Sequence, residues 1–153
     1  GGHTELSENV WCRPVPYLRA VPDYDDDSPH FSWTKTANVA SVEQALAKCG
    51  KGVGSLLAVN TLNRGVSPRV RLLLVTGSER SVFITGEDAR RVFGLPSSCF
   101  NVGPGSDSHV FAGRGYGHGL GMSQWGAKKL AELGYTASEI LSYYYKDVTL
   151  NQF

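Results

Sequence analysis

The chain has 153 residues, 41% of them hydrophobic and 19% charged, which suits one domain with its own core and excludes a disordered tail or a fibre. Fifteen basic residues against fourteen acidic give a net charge of +1, which argues against an electrostatic grip on nucleic acid. No apolar run exceeds four residues, so no stretch is long enough to span a bilayer.

The opening Gly1-Gly2-His3-Thr4-Glu5 has neither an initiator methionine nor a signal-peptide pattern, and suggests a mature or truncated piece of something longer. Residues 1–30 are rich in turn formers, with Pro14, Pro16, Pro22 and Pro29 and the cluster Asp23, Asp25, Asp26 and Asp27. They read as an irregular arm anchored by Trp11, Tyr17 and Leu18. The aspartates lack the central glycine and distal glutamate of a calcium loop, so they read as a solvated turn. Cys12, Cys49 and Cys99 are either one disulfide plus a spare thiol or three small buried side chains, and their spacing fits no zinc site.

Residues 31–112 read as mixed strands and short helices. Phe31–Thr36 alternates like a half-buried strand, and Ser41 opens a helix that Gly50 ends. Arg69–Val75 and Ser81–Thr85 flank a glycine-containing turn and predict a hairpin. Glu87–Phe93 reads as a short helix closed by Gly94, and Cys99–Val102 and His109–Ala112 as two further strands.

The end of the chain is helical. Ser123 caps a helix closed by Gly134, and Thr136-Ala137-Ser138-Glu139 is a capping box for a second. The fold class is therefore α+β: short antiparallel strands and hairpins followed by two C-terminal helices.

Glycine is the compositional anomaly, 18 residues or ~12% against a usual ~7%, and eight of them fall between Gly103 and Gly126. Gly113, Gly115, Gly117, Gly119 and Gly121 alternate. In an extended segment one face would be bare, open to a backbone or ligand, while Arg114, Tyr116, His118, Leu120 and Met122 point the other way. A tightly packed strand or a bulged turn leading into a helix is the plainer reading. No register gives the G-x-G-x-x-G of a dinucleotide loop, and Ser123 lacks the spacing of a nucleophile elbow. His118 is either a titrating or donating group or a buried histidine bonded to backbone.

Residues 113–127, Gly-Arg-Gly-Tyr-Gly-His-Gly-Leu-Gly-Met-Ser-Gln-Trp-Gly-Ala, resemble the signature of the SpoIID/LytB family, which includes peptidoglycan lytic transglycosylases and amidase enhancers. Gly1–Glu5 with Val10-Trp11, Pro16–Leu18, Leu95–Phe100, Ile140-Leu141 and Tyr144-Tyr145 extend the likeness through nearly the whole chain. The resemblance makes residues 1–153 the C-terminal portion of one SpoIID-like domain: arm 1–30, mixed elements 31–112, signature 113–127 and helical end 128–153. The family's catalytic glutamate, in a Glu-Met-Pro-like stretch, has no counterpart here. Tyr143 stands where a histidine often precedes the tyrosine pair, and Lys146-Asp147 replaces a usual Pro-Gly.

The family implies cleavage of glycan strands without water. A carboxylic acid protonates the leaving oxygen, and the muramic 6-hydroxyl closes on its own C1. On that resemblance the chain supplies the wall of the site and not the acid. Arg114, Tyr116, His118, Ser123 and Gln124 are the candidates for sugar contacts, with Tyr144 and Tyr145 as aromatic faces, although Tyr144 also sits at core spacing. The implied partners are peptidoglycan strands, a cell-wall amidase and the missing N-terminal half of the domain, in an extracytoplasmic setting. No cofactor is implied, because the zinc-binding Cys/His set of some members lies mostly upstream. The competing readings are a non-catalytic glycan-binding or amidase-stimulating module and, far behind, a serine hydrolase using Ser123 and His118.

Overall fold

A computed structural model describes residues 1–11, 13–105 and 107–151. Among them lie six strands in two antiparallel sheets and five helices, a mixed α+β architecture that ends in two helices as the sequence predicts.

One sheet has the order β1 (Ser32–Asn38), β6 (Ser108–Arg114), β5 (Phe100–Pro104), and the other β2 (Leu56–Arg64), β3 (Val70–Gly77), β4 (Ser81–Thr85). The predicted hairpin is β3–β4, with Leu73 opposite Ile84. β2 carries no clear sequence signal. Its register against β3 shifts between Thr61 and Asn63, and these irregularities break the alternation that would announce a strand.

Helix α2 (Val39–Lys48) begins two residues before the predicted Ser41, because the Asn38 side chain accepts the Ser41 N–H and caps it there. Thr85 likewise caps α3 (Gly86–Val92) by accepting the Asp88 N–H. Val42, Leu46, Leu73, Val75, Ile84, Ala89, Phe100 and Phe111 form the main core between the sheets and these helices.

The helices α4 (Gln124–Glu132) and α5 (Ala137–Tyr144) enclose a second, smaller core of Val21, Leu130, Ile140 and Tyr144. Both predicted caps form. Ser123 Oγ accepts the Gly126 N–H, and Thr136 and Glu139 complete the capping box.

The arm departs from its predicted character. It contains a short helix, α1 (Ser7–Trp11), and its anchors are polar: Thr4, Glu5, Ser7 and Asp25 are buried beside Leu18 and Val21. Trp11 and Tyr17, read from sequence as anchors, are exposed. The aspartate cluster is only partly a solvated turn. Asp25 is buried and accepts the Gly2 N–H, Asp27 meets Lys129 at 2.7 Å, and Asp23 is half-buried. Cys49 is an exposed free thiol and Cys99 a buried one, while Cys12 lies outside the described residues. Among the described residues no helix is long and apolar enough to cross a membrane.

Candidate functional site

The glycine signature is not an extended strand. Gly115, Gly117, Gly119 and Gly121 all have φ between 69° and 79°, so the chain turns at every second residue. The bare-face expectation is therefore corrected in one respect: Leu120 is buried, while Tyr116, His118 and Met122 stay exposed. The loop is tied to three segments. Gly115 N–H donates to Phe31 O (3.1 Å), Gly117 N–H to Pro96 O (2.9 Å), and the Glu5 N–H donates to Gly119 O (2.8 Å).

The room left by the missing side chain at Gly119 is filled by Arg69, which the sequence offers only as the start of a strand. Arg69 is 4% exposed, and its Nη1 donates to Gly117 O at 3.0 Å. A Cβ on Gly119 would stand 2.2 Å from Arg69 Nε. That Nε is sealed from solvent without a partner, and no carboxylate lies within 4.0 Å of the guanidinium among the described residues. Beneath it Glu5, 1% exposed, accepts from Ser67 Oγ (2.6 Å), Asn9 Nδ2 (2.9 Å) and the Val66 N–H (3.3 Å). Gly117, through its carbonyl, and Gly119, through its missing side chain, thus enclose a buried cation.

Against the loop lies a groove of about 620 Å³, bounded by His3, Asp23, His30, Arg69, Tyr116, His118 and the Ser123–Trp125 start of α4. That volume is within the range of small-molecule sites. Tyr116 is 71% exposed on its rim, with the His30 ring 5.1 Å away. The Trp11 ring lies 6.1 Å from that of His118.

His118 Nδ1 accepts the Leu120 N–H at 2.9 Å, which leaves Nε2 to carry the proton of the neutral ring. Burial holds the imidazole below its usual range; Glu87 opposes this, and Arg69 and Arg90 add to it. Both alternatives for this residue hold in part: a backbone bond fixes one nitrogen, and the other is free to donate.

Asp23 is the second residue not singled out by sequence. Its Oδ1 accepts from Tyr144 OH (2.7 Å), Ser123 Oγ (2.9 Å) and the Tyr24 N–H (3.1 Å). Gly126 makes this possible, since a Cβ there would lie 2.0 Å from Asp23 Oδ1 and 2.1 Å from Tyr144 OH. Tyr144 is fully buried, and burial followed by the Asp23 bond pushes its phenol up.

Of the residues expected to contact sugar, the groove gathers Tyr116, His118, Ser123 and Gln124. Arg114 lies apart, on a cavity of about 590 Å³ with Trp33 and Asn101, beside Gly113, whose missing Cβ admits the Trp33 ring. Tyr144 is core. Tyr145 packs near Gly121 and Tyr17, outside the groove lining. Among the described residues no group of three or more His, Cys, Asp or Glu is placed to hold a metal ion.

Comparison with known proteins agrees with this signature. Stage II sporulation protein D of Bacillus subtilis (strain 168) is 33% identical over 154 residues, covering 99% of this chain and 43% of that protein. The protein of the same name from Bacillus amyloliquefaciens is 30% identical, covering 99% of this chain and 42% of its own length. The amidase enhancer of Bacillus subtilis (strain 168) is 26% identical over 204 residues, covering 100% of this chain and 29% of that protein. Residues 18–121, more than half of the chain, match the family described as Domain of unknown function (DUF8618). The chain belongs to that family and, with these relatives, to the SpoIID/LytB family. This SpoIID/LytB chain spans less than half the length of each of those relatives.

Proposed function

We propose that this chain is the glycan-binding wall of a peptidoglycan-remodelling domain, whose parent protein cleaves glycan strands by non-hydrolytic lytic transglycosylation at the cell wall, outside the cytoplasm. The observation that carries the reading is the groove. It presents exposed Tyr116 and the His118 Nε2–H beside the Gln124 amide, over a loop whose backbone is pinned by Arg69. Aromatic faces suit the C–H face of a pyranose, and neutral donors suit hydroxyl and N-acetyl oxygens. In this reading Ser123 orients the helix start, and Arg114 serves a neighbouring stretch of the strand.

The proton donor comes from outside the chain. Within the groove the Asp23 and Asp25 carboxylates are engaged as hydrogen-bond acceptors, so neither is placed as the proton donor. The same observation favours a second reading, a non-catalytic module that binds glycan and assists a cell-wall amidase. The relative called amidase enhancer matches all of this chain. No cofactor enters either reading.

Mass spectrometry of muropeptides released by the longer parent protein separates the two. Products ending in 1,6-anhydro-muramic acid support transglycosylation. Glycan binding without cleavage supports the module, and reducing-end products or freed stem peptides would reject the transglycosylase.

A further inference from the structure

We propose that Asp23 is the groove's cation-reading carboxylate, presenting its free oxygen to positive charge on a sugar ring bound against Tyr116 and His118. The inference rests on the glycan reading of this groove and assigns a function to a residue outside the glycine signature.

The two oxygens of Asp23 have different surroundings. Oδ1 is turned to the interior, where it takes the phenol of fully buried Tyr144 at 2.7 Å and the cap hydroxyl of Ser123 at 2.9 Å. Oδ2 accepts nothing from the described residues, and Asp23 lines the groove. No lysine, arginine or histidine nitrogen lies within 4.0 Å of it among the described residues, so its charge is not consumed by an ion pair.

The other charges of the groove agree. Asp25 also lines it, with its oxygens turned to the backbone nitrogens of Gly2 and Gly1. Arg69 offers the opposing charge, but its Nη1 is committed to Gly117 O, and Gly119 seals its Nε. Asp23 is thus the groove carboxylate with an uncommitted oxygen. A carboxylate held this way costs no reorganisation when positive charge develops at a sugar C1 and ring oxygen, and it acts by electrostatics alone, with no bond formed to the sugar.

The test compares two probes on the chain: a protonated piperidine iminosugar and an uncharged chitotriose. Asp23→Asn keeps an oxygen for Tyr144 and Ser123 while removing the charge. The expected result is at least a tenfold weaker affinity for the iminosugar, with chitotriose affinity within twofold and the melting temperature near wild type. Asp23→Ala, which removes the interior acceptor as well, lowers the melting temperature. Equal loss for both probes assigns Asp23 a purely structural role and overturns the proposal, as does an unchanged iminosugar affinity. If neither probe binds wild type, the glycan reading falls and this proposal with it.

Discussion

The guanidinium of Arg69 lies directly against the Cα of Gly119, so closely that a Cβ would meet Nε at 2.2 Å. The same glycine has φ +78°, a conformation L side chains rarely adopt. Gly119→Ala therefore meets both a clash and strain, and should lose about 3 kcal/mol in urea denaturation. Gly117→Ala shares the strain, at φ +79°, but its Cβ would have nothing within 4 Å. It should lose only about 1 kcal/mol. Equal losses would separate the glycine pattern from Arg69.

Gly126→Ala gives a complementary comparison. On helix propensity alone alanine would be favoured by about 1 kcal/mol. Its Cβ would instead fall 2.0 Å from Asp23 Oδ1 and 2.1 Å from Tyr144 OH. Net destabilisation of about 1–2 kcal/mol is expected, measured by the same denaturation curves. Tyr144→Phe, which only deletes the bond to Asp23, should cost a similar amount.

Removing the Arg69 charge should be visible at His118. Burial is the main cause of its lowered pKa and survives the change, while the Arg69 charge, which lowers it further, disappears. In Arg69→Met the His118 pKa, followed by NMR of the ring protons, should move part of the way back toward 6.5. Because folding depresses this pKa, the unfolded chain binds more protons below 6.5, so the His118 contribution to stability is present above 6.5 and is lost as pH falls through the lower folded value. His109, also depressed by burial, adds in the same direction.

The alkaline limb has the opposite sign. Tyr143 is pushed up to about 12, first by burial and then by its bond with Tyr24, and Tyr144 is pushed up as well. The folded state holds both phenols protonated where the unfolded chain, with pKa 10.0, begins to release them. Melting temperature should fall as pH rises above 10, and the fall should be smaller in Tyr144→Phe.

The helical end is legible in sequence because its signals are local. Ser123 and Thr136-Ala137-Ser138-Glu139 fix helix starts through hydrogen bonds within four residues of chain, and both form as read. The glycine signature is legible as a site for a different reason, its regularity. Its meaning is not, because the partners filling the vacant Cβ positions, Arg69 and Asp23, are brought by the fold from 50 and 103 residues away. An arginine opening a strand and an aspartate in an acidic cluster both look solvated in sequence. Trp11 misleads in the reverse direction, since a tryptophan in an arm suggests an anchor and this one stands 51% exposed near His118.

The central claim is that the glycine-loop groove binds glycan, and amide and ring-proton NMR of this chain titrated with a muramic acid-containing tetrasaccharide tests it most directly. Shifts should concentrate on Tyr116, His118 and Gln124. Tyr116→Ala should weaken binding about tenfold, the magnitude expected for removing a stacking aromatic worth ~1–1.5 kcal/mol. No shifts, or shifts confined to the Trp33–Arg114 cavity, would contradict the account.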